Sequence, residues 1–145
     1  MLLYGVCISD IEKINEEKAV AFLKELAEAG LGADNYYENY LEDTSDDEDY
    51  TFSKWIENFE FDGYYGLAAF LQEVISVIEE IDISCDDPSG ISYLGLSADT
   101  PWNFNEKTRN MSEKEYNEIL AKYINKITDE VLEIRWWCVR DDSDY

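Results

Sequence analysis

The chain has 145 residues, a formal charge of −23 and an apolar share of 46%, which includes 11 Tyr, 6 Phe and 4 Trp. These values predict one folded domain over residues 1–145 with a substantial core, and they exclude global disorder. The same negative charge disfavours direct binding to DNA, RNA or an anionic membrane.

The chain begins with a predicted strand and helix. Residues Leu2–Ile8 form a near-continuous apolar run with β-branched members, which is typical of a strand inside a sheet. Asp10 or Asn15 can cap a helix that runs to about Ala29, because apolar residues recur on one face and Gly30 follows. We therefore expect a buried β-strand followed by an amphipathic α-helix.

The next stretch, residues 34–62, combines acids and aromatic residues, and we name it the acidic aromatic segment. It contains eleven Asp or Glu, eight aromatic residues and one cation, Lys54. Phe52, Trp55, Ile56 and Phe59 recur at helical spacing behind a candidate cap, Ser53, and predict one short helix. Neither a core element nor a solvated linker explains this mixture, so we expect an insertion with local disorder around residues 42–49.

The rest of the chain predicts two further helices and two further strands. The most apolar helix spans Tyr64–Ile81, and we expect it to be the central helix of the core. Strands are predicted over Ile91–Ser97, which follows a turn, and over Glu133–Arg140, where apolar and polar residues alternate. Between them, Ser112 and Glu115 form a capping box that opens an amphipathic helix.

Together these elements predict a small α/β or α+β domain. Its sheet has three strands, Leu2–Ile8, Ile91–Ser97 and Glu133–Arg140, packed by three main helices and one short helix. Helices in the connections allow parallel pairing, and the strand order stays open. On the last strand, alternation turns one ring of the Trp136 and Trp137 pair into the core, and we expect a helix to cover the other.

The sequence lacks the common catalytic and cofactor motifs. It contains no His, which excludes His-based catalysis and most zinc sites, and its seven glycines form neither a Walker loop nor a GxGxxG motif. The acids from Asp43 to Asp49 do not match the EF-hand pattern, so weak cation binding is favoured over a dedicated metal site. We therefore predict no enzymatic activity, no metal and no cofactor. A carboxylate-based, metal-dependent hydrolase is the enzyme class left open.

The cysteines and the N-terminus predict a cytoplasmic location. Cys7, Cys85 and Cys138 are an odd number without a CxxC pair, which is typical of buried thiols in a reducing compartment. The first ten residues lack the basic region and long apolar run of a signal peptide, and no apolar stretch is long enough to span a membrane. We therefore expect a cytosolic protein.

The negative charge is concentrated in one region. Residues 25–104 contain twenty acids and one Lys, a net charge of −19, whereas residues 105–145 contain ten acids and seven bases, a net charge of −3. Concentrated charge raises self-repulsion and predicts a cationic partner, although a solvated loop that keeps the protein soluble is the alternative.

In a complex with such a partner, carboxylates would supply charge and aromatic residues would anchor the complex. The predicted partner-binding residues are Tyr40, Glu42, Asp43, Asp46, Asp47, Glu48, Asp49, Tyr50, Trp55, Glu57, Glu60 and Asp62.

Three short motifs in the second half of the chain carry a family resemblance. They are Gly95, Pro101-Trp102 and Lys122-Tyr123. In this order they resemble small proteins of bacteriophages and mobile elements of Gram-positive bacteria, which implies a similar origin. Small acidic phage proteins are often inhibitors of host defence, including anti-CRISPR proteins that mimic nucleic acid. Tyr64-Tyr65-Gly66 before a helix is also similar to the barstar family of acidic ribonuclease inhibitors.

The sequence as a whole predicts a non-enzymatic acidic inhibitor of a host defence effector. It would bind the basic nucleic-acid cleft of that effector, a CRISPR effector nuclease, as a mimic of nucleic acid. The alternative is an immunity protein that neutralises a cationic nuclease toxin through the same surface. If a phage encodes the chain, the inhibitor would act in the cytoplasm of the host cell.

Overall fold

The computed structural model describes residues 2–30, 36–46, 51–61, 64–86, 91–97 and 104–139, which form an α+β fold. Its strands are β1 (Leu2–Cys7), β2 (Glu60–Phe61), β3 (Tyr64–Tyr65), β4 (Ser84–Asp86), β5 (Tyr93–Ser97) and β6 (Arg135–Cys138). Its helices are α1 (Glu16–Glu28), α2 (Tyr36–Asp46), α3 (Phe52–Glu57), α4 (Leu67–Glu79), α5 (Glu106–Arg109) and α6 (Glu113–Asn125). A 3₁₀ turn, Ile8–Asp10, follows β1. The predicted fold class is confirmed.

The main sheet has four strands in the order β4, β5, β1, β6, and every neighbouring pair is antiparallel. The three predicted strands are present as β1, β5 and β6, each shorter than predicted, and none of them pairs in parallel. Strand β4 was not predicted, because three residues with polar ends are too short a stretch to show alternation. Strands β2 and β3 pair separately as a short antiparallel hairpin.

Two glycines face each other where β1 pairs with β5. Gly5 lies opposite Gly95, and a Cβ atom at these positions would lie 2.1 Å or 2.2 Å from a carbonyl oxygen of the other strand. No side chain fits at that distance, so the two backbones can approach only with glycine at both positions. The register places Val6 opposite Leu94, and both side chains enter the core.

The three main helices that the sequence predicts are confirmed with adjusted ends. Helix α1 is capped by Asn15, one of the two predicted caps, and α6 is capped by Ser112, which accepts a hydrogen bond from the Glu115 amide. Helix α4 begins at Leu67 and not at Tyr64, because the residues before it pair with β2. Tertiary pairing therefore shortened the helix that the apolar pattern predicts.

Helices α2 and α5 were not expected from the sequence. Helix α2 spans Tyr36–Asp46, so the expected disorder around residues 42–49 is wrong for residues 42–46, while residues 47–49 lie outside the described residues. Tyr36, Tyr37 and Tyr40 are buried or partly buried, whereas Glu38 and Glu42 are exposed, and the density of charge hid that periodicity. Helix α5 is a single turn capped by Asn105.

One apolar core joins three helices to a face of the main sheet. Phe22 of α1 lies 6.2 Å from Phe70 of α4 and 6.1 Å from Tyr123 of α6, measured between ring centroids. Tyr4 of β1 extends to α6, where its hydroxyl donates a hydrogen bond of 2.6 Å to Asn117 Oδ1. Burial of each such side chain contributes about 1.5–3 kcal/mol relative to exposure. Helix α4, the predicted central helix, supplies six of the buried residues.

The two tryptophans of β6 point to opposite faces of the sheet, as alternation requires. Trp136 packs on Tyr4 at 5.3 Å between ring centroids, on the side of the helices. The Trp137 indole donates a hydrogen bond of 2.9 Å to the Gly5 carbonyl on the other face, where the Arg135 guanidinium lies 3.5 Å from its ring centroid. In the described structure a side chain of the same strand, and not a helix, covers this outer ring.

Candidate partner-binding surface

The aromatic residues of the acidic aromatic segment pack inward. Phe70 of α4 is fully buried, and the rings of Tyr36, Phe52, Trp55 and Phe59 lie 5.3–6.2 Å from it between centroids. These contacts are close to perpendicular, the geometry that the ring quadrupoles favour. The segment therefore has a folding role that the sequence analysis did not assign to it, because its rings complete the core around Phe70.

Trp55 does not serve as an exposed anchor. Its side chain is 6% exposed and its ring contacts those of Tyr40, Phe52, Phe59 and Phe70. An anchor has to be accessible before the complex forms, and this indole is already packed within its own chain. The structure gives Trp55 a role in the core, and the partner-binding role stays an untested prediction.

Tyr40 lies at the border between the core and the surface. It is partly buried, with its ring edge-on to Trp55 at 6.3 Å between centroids. Burial raises the pKa of the Tyr40 hydroxyl, and the nearby Glu16 carboxylate raises it further. The hydroxyl therefore stays protonated at neutral pH and can act as a hydrogen-bond donor, the role expected of a tyrosine at an interface.

Helix α3 is attached to α1 by the side chain of Glu16. The Glu16 carboxylate accepts a hydrogen bond of 2.8 Å from the Phe52 amide and further bonds from the amide and hydroxyl of Ser53. Thr51 caps the helix by accepting from the Lys54 amide, so the cap predicted at Ser53 is wrong by two residues. These bonds hold the N-terminus of α3 in a fixed position.

Three of the carboxylates predicted to bind a partner have described side chains, and all three are exposed. Glu42 lies on α2, Glu57 on α3 and Glu60 on β2. Helix α2 packs against α3, α3 packs against α4, and α4 packs against β2, so adjoining elements carry these acids. A cationic partner can therefore approach these exposed carboxylates from solvent.

The remaining predicted residues fall in two groups. Asp43 and Asp46 lie within helix α2. Those outside the described residues are Asp47, Glu48, Asp49, Tyr50 and Asp62.

The sequence analysis missed two exposed residues of α2. Glu38 and Leu41 lie on the same face as Glu42, because residues three and four apart are neighbours on a helix. Leu41 is 46% exposed, although it sits in the middle of the helix. Recognising Tyr36, Tyr37 and Tyr40 as the inward face would have identified both.

Several carboxylates elsewhere serve the fold. The Glu130 carboxylate accepts hydrogen bonds from the amides of Lys13 and Glu12, which lower its pKa. Asp129 accepts from the Asn15 side chain and from Lys18, and these bonds lower its pKa as well. Such acids hold the turn after α6 against the start of α1.

Glu79 of α4 is tied to α6. Its carboxylate accepts a hydrogen bond of 2.5 Å from the Tyr123 hydroxyl and pairs with Lys122 at 3.2 Å. Partial burial alone would raise the pKa of Glu79, but the bonds from Tyr123 and Lys122 outweigh it and lower the pKa. This carboxylate stabilises the contact between two helices of the core.

Two of the three cysteines are buried, and the described cysteines and acids form no group suited to a metal ion. Cys7 and Cys85 are buried, and burial raises the pKa of the Cys7 thiol, whereas Cys138 is exposed, contrary to the sequence-based expectation for it. Among the described residues, no group of three or more Cys, Asp or Glu side chains is placed to hold a metal ion.

None of the helices in the described part of the chain combines the length and the apolar character needed to cross a membrane.

Comparison of the chain with protein-family models, with curated proteins and with solved structures gives no match. The residues and geometry described above are therefore the basis of the function proposed below.

Proposed function

We propose that this chain is a non-enzymatic inhibitor whose acidic surface occupies the basic nucleic-acid cleft of a partner protein. The partner class is a CRISPR effector nuclease, and the place of action is the cytoplasm. The observation that supports this most is the outward position of Glu42, Glu57 and Glu60 on elements that pack around one aromatic core.

The charge of the segment supports a cationic partner. Residues 34–62 contain eleven carboxylates and one cation, Lys54, so the net charge of the segment is −10. A surface of one sign steers an oppositely charged partner and raises the rate of association. A cleft built from Lys and Arg to hold phosphates presents the complementary charge.

The helical geometry of α2 supports mimicry of a nucleic-acid strand. Side chains four residues apart on a helix, such as Glu38 and Glu42, lie about 5–6 Å apart at Cβ. This distance is of the same order as the rise of about 3.4 Å between successive charges along one nucleic-acid strand. The helix therefore presents carboxylates at a spacing that a phosphate-binding cleft can accommodate.

Leu41 adds a contact that does not depend on charge. Its exposed side chain lies one turn after Glu38 on α2, where it can reach the apolar stems of Lys or Arg. Because apolar burial is insensitive to salt, this contact would add a small salt-independent part to an affinity that comes mainly from charge.

A capture experiment with matched variants tests the proposal. The immobilised protein is incubated with lysate of a CRISPR-carrying Gram-positive bacterium, next to a variant with Glu38→Gln, Glu42→Gln, Glu57→Gln and Glu60→Gln. The control carries Glu106→Gln, Glu113→Gln, Glu115→Gln and Glu118→Gln, which removes the same charge from exposed positions outside the segment. We expect the wild type and the control to capture a nucleic-acid-binding protein and the first variant to lose it.

Competition then identifies the surface of the partner that is occupied. Added DNA or RNA and rising salt should both release the captured protein, because they compete for the same cationic cleft. Retention of the captured protein in the presence of excess nucleic acid would overturn cleft occupation. Capture of one cationic nuclease together with the gene of a toxin beside this one would favour the immunity protein.

A further inference from the structure

We infer that residues 131–137, which we call the edge segment, form the interface of a symmetric homodimer. This inference is independent of the proposed function, because it involves the opposite edge of the main sheet from β4 and none of the residues proposed for the acidic surface. A second copy of the chain is the occupant, and its backbone would add to the sheet beside β6.

Strand β6 is an open edge in the part of the chain that the structure describes. It pairs with β1 on one side, and the described residues supply no strand on the other. Edge strands are commonly protected by proline, by bulges or by several lysines. The edge segment has the sequence VLEIRWW, without proline or lysine, and its Trp136 carbonyl accepts only from the exposed Arg135 side chain among the bonds described here.

The apolar side chains of the edge segment are exposed to an unusual degree. Val131 is 97% exposed and Trp136 is 45% exposed. Exposure alternates along this segment. Val131, Glu133 and Arg135 are exposed, whereas Leu132 and Ile134 between them are partly buried. Alternation of this kind is the pattern of an extended backbone, which is the conformation that strand pairing requires.

The sequence of the edge segment is complementary to itself in one antiparallel register. A two-fold axis beside Ile134 places this residue opposite its own copy and Glu133 opposite Arg135 of the second copy. The same register places Leu132 opposite Trp136 and Val131 opposite Trp137. Every facing pair then combines opposite charges or two apolar side chains, which are the combinations that stabilise neighbouring strands.

The symmetric registers on either side lack this complementarity. Moving the axis to Glu133 places two glutamates opposite each other, and moving it to Arg135 places two arginines opposite each other. Like charges in facing positions destabilise a strand pair. The charges therefore select the register that is centred on Ile134.

The existing contacts of the charged residues permit an exchange of partners. Glu133 pairs with Arg135 of its own chain at 3.4 Å, and both side chains are exposed. An exposed pair of this kind contributes little, so the equivalent pair between two copies can replace it. The Arg135 guanidinium also donates a hydrogen bond of 2.8 Å to the Trp136 carbonyl, and in the homodimer this carbonyl would accept from the facing strand instead. The net charge of −3 over residues 105–145, against −19 over residues 25–104, also places the interface where two copies repel each other least.

Charge reversal provides the test. Glu133→Arg and Arg135→Glu each place like charges opposite each other in a dimer of one variant. A mixed dimer, with one chain of each variant, has two pairs of opposite charge instead. We expect the wild type to dimerise, each variant alone to dimerise at least about tenfold more weakly, and an equimolar mixture to form a mixed dimer. Sedimentation equilibrium up to about 1 mM protein measures the constants, and native mass spectrometry identifies the mixed dimer.

Matched controls separate a specific interface from a change in net charge. Glu118→Arg and Lys114→Glu on α6 make the same changes of charge at exposed positions outside the edge segment, and both should dimerise like the wild type. Circular dichroism confirms that each variant is folded. A wild type that stays monomeric over the whole range would overturn the inference, and so would a mixture with no more dimer than its components.

Discussion

The acidic aromatic segment and the region from α6 to β6 use the same kinds of residue in opposite ways. In the segment, aromatic rings pack around Phe70 while Glu57 and Glu60 face solvent. In the second region, Asp129 and Glu130 accept hydrogen bonds from defined donors of the N-terminal region, and Trp136 is partly exposed. The comparison shows that local donors, and not the number of acids, decide whether a carboxylate supports the fold or remains available to a partner.

The largest expected effect tests the inward packing of the segment. Trp55→Ala removes a ring that contacts four others, and we expect the free energy of unfolding to fall by about 3–5 kcal/mol. Tyr65→Ala is the control, since Tyr65 is 60% exposed, and its effect should stay within about 0.5 kcal/mol. Urea denaturation followed by circular dichroism measures both. A stable Trp55→Ala protein that had lost partner binding would reinstate Trp55 as an anchor.

The second prediction concerns an acid that supports the fold. Glu79→Ala leaves the buried Tyr123 hydroxyl without its acceptor, and we expect a loss of about 1–3 kcal/mol in the free energy of unfolding. Glu73→Ala on the same helix is the matched control and should change it by less than about 0.5 kcal/mol. Equal effects of the two substitutions would show that the contact between Glu79 and Tyr123 does not stabilise the fold.

The pH dependence of stability sharpens the comparison further. Folding lowers the pKa of Glu79, Asp129 and Glu130, so the unfolded chain takes up protons first as the pH falls. Their contribution is complete above the unfolded pKa of about 4 and is lost as the pH falls through the lower folded pKa. Urea midpoints measured from neutral to acidic pH should therefore fall.

Two variants show which acids produce this pH dependence. A protein with Glu79→Gln, Asp129→Asn and Glu130→Gln should be less stable at neutral pH and should lose less stability on acidification. A protein with Glu57→Gln, Glu60→Gln and Glu118→Gln, all at exposed positions, serves as the control for charge and should keep the wild-type dependence. The idea that the first three acids are the structural ones fails if the two variants respond alike to acid.

The smallest expected effect belongs to the exposed acids of the segment. Glu57→Gln and Glu60→Gln together should change the free energy of unfolding by no more than about 0.5 kcal/mol, because neither side chain is buried. Thermal unfolding at neutral pH is the measurement. A loss of several kcal/mol would mean that these carboxylates support the fold, and the surface proposed for a partner would lose two of its members.

Prediction from sequence succeeded where a pattern is local. The capping residues Asn15 and Ser112 and the strands that became β1, β5 and β6 follow from short-range signals in the chain. It failed for β4 and for the start of α4, because each depends on a partner strand that periodicity does not reveal. The charge of Glu57 and Glu60 was enough to predict that these side chains are exposed, but the packing of Trp55 could not be predicted without knowledge of its neighbours.

The sequence by itself determined the net charge, its concentration in residues 25–104 and the class of fold, because composition and periodicity are properties of the chain alone. Only the tertiary structure decided which aromatic residues are buried, which carboxylates are bound by donors and which strand is left at the edge of the sheet. These properties arise from contacts between distant residues, such as Glu130 with Lys13 and Trp55 with Phe70, and no local pattern specifies them.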